Sequence, residues 1–177
     1  MSRFVLMVVL VLSSVSIASA AESDSVLIQR ALSAAPDWIK GGATVVVLDA
    51  QGKSTVLKQG TNGFTCLPGT PGVIGDDPMC MDAQAGLWVK SLVAHESKPA
   101  NTAPGIIYML AGGTDASVTD PFASTASGQP FRDPPHWMIM WPFDAKTSGL
   151  PAGWHDSGTW IMFAGTPYAH LMILQKP

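Results

Sequence analysis

Hydrophobic and polar positions change their period several times along the chain, and each change marks an element. From Ser23 and Asp24, both suited to an N-cap, Leu27, Ala31 and Ala34 recur at helical spacing until Pro36, which predicts a short first helix. After Gly41-Gly42 the run Ala43 to Leu48 is apolar and β-branched. Asp49-Ala50-Gln51-Gly52 supplies turn residues, and Ser54 to Lys58 resumes as a strand, so a β-hairpin is expected. Thr61-Asn62-Gly63-Phe64 is a further turn that leads to Cys66.

Helical spacing returns after Asp77-Pro78, where Asp suits the N-cap and Pro the first helical position. Met81, Ala85, Trp88 and Leu92 then fall at i, i+4, i+7 and i+11, a single stripe that can face a core. A second helix is expected there, with Cys80 in its first turn. Beyond Pro104 four strand-like runs follow: Ile106 to Leu110, His136 to Trp141, Thr159 to Phe163 and Ala169 to Leu174. The last two, joined through Gly165-Thr166-Pro167, are expected to pair antiparallel. Two irregular stretches separate these runs: Gly112 to Pro135, and Phe143 to Gly158 with Trp154 and His155. A connection as long as the first is usually functional or disordered. The pattern predicts one α+β domain, with a mainly antiparallel sheet of five or six strands and two helices packed on one side.

The first twenty residues stand apart from this pattern. Arg3 is the only charge before Glu22, Phe4 to Leu12 is apolar throughout, and Ala18-Ser19-Ala20 has the small-x-small form of a signal-peptidase site. The apolar run falls short of the roughly 20 residues that span a bilayer. A signal peptide over 1–20 and a domain over 21–177 are therefore expected, with a periplasmic or secreted destination. Removing the signal takes 177 residues to 157 and 10 basic side chains to 9, against 13 acidic ones, for a net charge of −4. That balance, with no run of Lys or Arg, speaks against nucleic acid and anionic membrane surfaces as partners. An apolar content of 47% with six Trp is too high for a disordered chain.

Export changes the meaning of the two cysteines. Cys66 and Cys80 enclose a loop rich in Pro and Gly, and outside the cytoplasm a disulfide between them persists. Their spacing lacks the C-x-x-C arrangement of a zinc site.

Two strands begin alike, His136-Trp137-Met138-Ile139-Met140 and His170-Leu171-Met172-Ile173-Leu174. Positions i and i+2 of a strand share a face, so each places an imidazole beside a thioether, a donor pair suited to copper(I). If the strands are neighbours, His136, His170, Met138 and Met172 become candidate metal ligands. The competing reading is two hydrogen-bonded histidines at the ends of packed strands, with Met as core filler. A second candidate is a polar cleft in which Asp120, Arg132 and Tyr168 bind a ligand beside the two histidines. Asp115 and Asp133 lie in the same loop segment. Against it, Asp120-Pro121 and Asp133-Pro134 are ordinary turn starters, and Arg132 is suited to a surface ion pair. No G-x-S-x-G elbow, H-E-x-x-H helix, P-loop, dinucleotide fingerprint or calcium loop is present.

The segments Thr61-Asn62-Gly63-Phe64-Thr65-Cys66, Asp77-Pro78-Met79-Cys80, Thr119-Asp120-Pro121-Phe122-Ala123 and Gly165-Thr166-Pro167-Tyr168-Ala169-His170 resemble, in this order, the landmarks of an uncharacterised family of small exported bacterial proteins. The resemblance implies export and no activity. Three functions are consistent with the residues: a non-enzymatic binder of a small ligand or soft metal near His136 and His170, a small hydrolase or lyase using His, Asp and Tyr, and an interaction module with an aromatic face.

Overall fold

The computed structural model describes residues 22–49, 52–154 and 158–175. The expected signal peptide, His155 and part of the hairpin turn at Ala50-Gln51 lie outside the described residues. Helix α1 (Asp24–Ser33) and a single turn, α2 (Asp37–Lys40), precede the hairpin of β1 (Thr44–Leu48) and β2 (Ser54–Lys58). Then come β3 (Thr65–Leu67), β4 (Met79–Met81), α3 (Ala83–Val93) and β5 (Gly105–Met109). The remaining elements are β6 (Gly113–Asp115), β7 (Phe131–Asp133), β8 (His136–Met140), the turn α4 (Ala145–Ser148), β9 (Thr159–Met162) and β10 (His170–Leu174).

Eight strands form one sheet in the order β2-β1-β3-β4-β5-β8-β10-β9, and β6 with β7 forms a separate ribbon. Every pairing in the sheet is antiparallel except β1 with β3. The chain is thus α+β and mainly antiparallel, with more strands than expected. The two additional strands, β3 and β4, are three residues each, too short to show a period. Cys66 and Cys80 sit directly opposite one another in this pair and are joined by a disulfide, with Cα atoms 4.0 Å apart. Cys80 is therefore a strand residue and not part of a helix.

Helix α3 starts later than the Asp77-Pro78 signal because a better cap follows. The Asp82 carboxylate accepts hydrogen bonds from Ala85 N (2.8 Å) and Ile106 N (3.0 Å), so one side chain caps the helix and fastens it to β5. Gly105 completes the contact, since a Cβ there would lie 2.2 Å from Ala85 N.

The helices occupy opposite faces of the sheet, which corrects the expectation of a single helical side. Cys80 and Met81 are consecutive in β4 and so point to opposite faces. Cys80 joins the core made by Ala31, Ala34, Ala35 and Ile39 of the first helical segment, whereas Met81 joins Ala85 and Trp88 of α3. Both faces of the central strands are apolar, and each needs its own cover. On the α3 face the core continues through Ile107, Met138, Met140, Trp160, Met162 and Met172. The stretch 112–135, expected to be irregular, contains the β6–β7 ribbon and crosses this face, held to the sheet where Phe163 N donates to Val118 O (2.9 Å).

Candidate functional site

A cavity of about 370 Å³ lies between the α3 face of the sheet, the helix itself and the crossing segment. Six methionines line it: Met79, Met109, Met138, Met140, Met162 and Met172. They come from β4, β5, β8, β9 and β10, and the alternation of each strand turns them to the same side. His136 and His170 line it too, and both are buried, at 1% and 2% exposure.

Each ring is held in the same way. His136 Nδ1 lies 2.8 Å from Pro134 O, and His170 Nδ1 lies 3.0 Å from Tyr168 O, in both cases the carbonyl two residues earlier. A carbonyl only accepts, so Nδ1 carries the proton in both rings and Nε2 keeps its lone pair. Among the described residues, no hydrogen bond engages either Nε2. Burial holds both imidazoles below their ordinary range, against the partial opposition of the carbonyl bonds; His170 falls to about 4. Both are neutral at pH 7. Trp88 and Phe163 pack edge-on against His170, with ring centroids at 5.2 and 5.4 Å.

The His136 end is acidic. Asp115 on β6 and Asp133 on β7 share a face of the ribbon, and their carboxyls lie close enough for each to bear on the protonation of the other. Burial, then the neighbouring Asp115 carboxyl, then the charge of Asp77 push the Asp133 carboxyl up to about 9. Burial raises Asp115 as well, with Asp133 opposing. Asp77 pins the ribbon, its Oδ2 accepting from Thr114 N (2.7 Å) and Thr114 Oγ1 (3.0 Å). Asp115 and Asp77 line the cavity, and Asp133 stands behind them, where a shallow outer cleft begins.

No family model, curated protein or solved structure matches the chain.

The structure distributes the sequence candidates unevenly. His136, His170, Met138 and Met172 share the cavity face, and Met138 is directly opposite Met172. The two histidines stand at opposite ends of that row. Leu174 pairs with His136 and Leu171 with Ile139, which places His170 level with Met140, four residues from His136. At about 3.4 Å per residue this is roughly 14 Å along the strands. Two imidazoles on one ion bring their nitrogens within about 4 Å, given metal–nitrogen bonds near 2 Å. The rings are near enough for a charge on His136 to disfavour a charge on His170, but this register makes them two stations and not one ligand pair. Among the described residues, no group of three or more His, Cys, Asp or Glu is placed to hold a metal ion.

Asp120 lies at the cavity mouth, exposed, with its Oδ1 accepting from Phe122 N (2.9 Å) in a local turn. Arg132 is exposed on β7 and lines the outer cleft with Arg30 and Trp154, away from the histidines. Tyr168 is buried outside the cavity lining. Its hydroxyl donates to Glu96 O (2.9 Å) and its ring packs on Trp88, which ties the end of α3 to the sheet. Asp115 and Asp133 give no sign of pairing in the sequence, because the 17 positions between them, eight of which are Gly, Ser, Thr or Pro, carry no spacing signature. The alternation of Met with branched residues was visible, but it reads as ordinary core until the cavity is seen.

Chemically, the arrangement offers an apolar chamber with a lone-pair nitrogen at each end and a close carboxyl pair beside one of them. A neutral imidazole next to a protonated carboxyl is also raw material for general acid–base chemistry.

Proposed function

We propose that the chain is an exported binding protein whose cavity takes a small, largely apolar ligand bearing a hydrogen-bond donor. The observation that carries this reading is the repeated histidine arrangement: both rings spend Nδ1 on a carbonyl and keep Nε2 as an unused acceptor at the cavity wall. An unused lone pair on the wall of an apolar cavity is a ready partner for a donor carried by a ligand. The methionines supply an adaptable apolar lining, because thioether side chains repack around different shapes. The Cys66–Cys80 disulfide supports an oxidising compartment, and no helix among the described residues is long and apolar enough to cross a membrane.

Phenol is a suitable probe, since it joins an apolar ring to one donor. Titrated into protein labelled at the methionine methyl groups and histidine nitrogens, it is expected to shift Met138, Met172 and at least one Nε2 resonance saturably. Unchanged methyl and Nε2 signals up to millimolar phenol would refute ligand binding in this cavity.

A further inference from the structure

We propose that the His136 end of the cavity receives the ammonium group of a small organic amine, with Asp115 as its counter-ion. This rests on the cavity being a ligand site and adds the chemical class of the ligand.

The charge of the lining is one-sided. Asp76, Asp77, Asp115 and Asp120 all border the cavity, and no Lys or Arg does. The ion pairs among the described residues, Arg30 with Glu22 and Lys40 with Asp37, involve none of these carboxyls. Asp133, only 6% exposed, has an Oδ1 atom that is buried with no hydrogen-bond partner. Asp115 and Asp133 thus lie close together in a poorly solvated place, with Arg30 and Arg132 on the outer cleft beside Asp77 and Asp133 and no cation on the cavity side. A ligand cation on that side would relieve the cost of burying them.

The acceptors favour an ammonium in particular. Such a group has three N–H donors. Facing them are the Asp115 carboxylate, the Nε2 lone pair of His136, and Asp77, whose Oδ1 accepts no hydrogen bond among the described residues. A bare metal ion fits less well, because these groups do not form a coordinating set. Past His136 the lining turns apolar through Met138 and Met172, which suits an amine with a hydrocarbon body.

The test compares 2-phenylethylamine with 2-phenylethanol, nearly the same shape with and without the charge, by calorimetric titration at pH 7.5. At this pH the groups facing the ammonium are Asp77, Asp115 and neutral His136, with Asp133 behind them, Arg30 and Arg132 on the outer cleft, Asp76 and Asp120 at the mouth and neutral His170 at the far end. The amine is expected to bind at least tenfold tighter than the alcohol, and Asp115→Asn is expected to abolish that advantage. In the unsubstituted protein the Asp115 carboxyl carbon signal should move with the amine and not with the alcohol, which keeps the test decisive if the variant does not fold. Equal binding of both probes overturns the amine assignment and leaves the cavity as a ligand site. Tighter amine binding that survives Asp115→Asn, or that leaves the carboxyl signal still, also overturns it. Binding of neither probe removes both readings.

Discussion

Replacing Asp133 with Asn keeps the shape of the side chain and removes one titrating proton from the ribbon. In the folded protein this carboxyl is held protonated up to about 9, against 3.8 in an unconstrained chain. Between those values the folded state carries a proton that the unfolded state has lost, so stability falls as pH rises, by about 1.4 kcal/mol per pH unit. Below about 6.5 the buried histidines oppose this trend. Their folded forms refuse protons that the unfolded rings accept, so their contribution rises with pH from the folded value, about 4 for His170, to 6.5. Above pH 7 the histidines are silent and the trend comes from the carboxyl pair, Asp133 above all. From pH 7 to 9 the loss amounts to about 2 kcal/mol, allowing for half-titration at the upper limit. Urea unfolding followed by tryptophan fluorescence at pH 7, 8 and 9 should show this decline in the unsubstituted protein and a much flatter profile in Asp133→Asn. A flat profile in both proteins, or the same slope in both, would refute the raised titration of Asp133.

Other consequences are more local. Opening the Cys66–Cys80 bridge, by reductant or by paired Ala substitution, frees a 15-residue loop and should cost about 3 kcal/mol in thermal or urea unfolding; a loss below about 1 kcal/mol would mean that β3 and β4 hold each other without it. Gly105→Ala should cost about 3 kcal/mol, because the added carbon meets the backbone of Ala85 and Gln84 and forces α3 off β5. An unfolding midpoint equal to that of the parent would contradict this contact. Tyr168→Phe removes the bond to Glu96 O and should cost about 1 kcal/mol while leaving phenol binding unchanged; weakened phenol binding would bring Tyr168 back into the site.

Much of the sheet was legible because its strands are five-residue apolar runs with clear punctuation. The β1–β2 hairpin, β5, β8 and the β9–β10 pair all fall where the alternation and the Gly or Pro boundaries place them. The chain between Thr65 and Asp82 was not. Asp77-Pro78 imitates a helix start, but Asp82 wins because its carboxylate serves the helix and β5 together, a tertiary reward that no local pattern displays. The side chosen by each helix was hidden for a related reason. Cys80 and Met81, or Ile107 and Tyr108, are apolar in succession, so the usual inside–outside alternation gives no sign of which neighbour faces which helix. At the site, the two His-x-Met segments announced the residues but not their register, which is set by pairing partners distant in the chain.

That register is what gives the cavity its direction. Two strands with the same leading residue, paired antiparallel, must place those residues at opposite ends, so the repeat in sequence becomes a two-ended chamber. The ends then differ through their neighbours: carboxyls crowd His136, whereas the rings of Trp88 and Phe163 pack on His170. A short ligand held by its charge at the His136 end therefore meets the carboxyls and leaves the aromatic surface at the far end unused. It follows that His136→Ala should weaken 2-phenylethylamine several-fold and leave 2-phenylethanol nearly unaffected, because only the amine engages the acidic end. His170→Ala, which opens space among the aromatic rings at the far end, should leave the ratio of the two affinities unchanged. Titration of both variants with both probes decides the matter: equal losses in His136→Ala, or a selective loss of amine binding in His170→Ala, would mean that the ligand lies the other way round or that the two ends do not act separately.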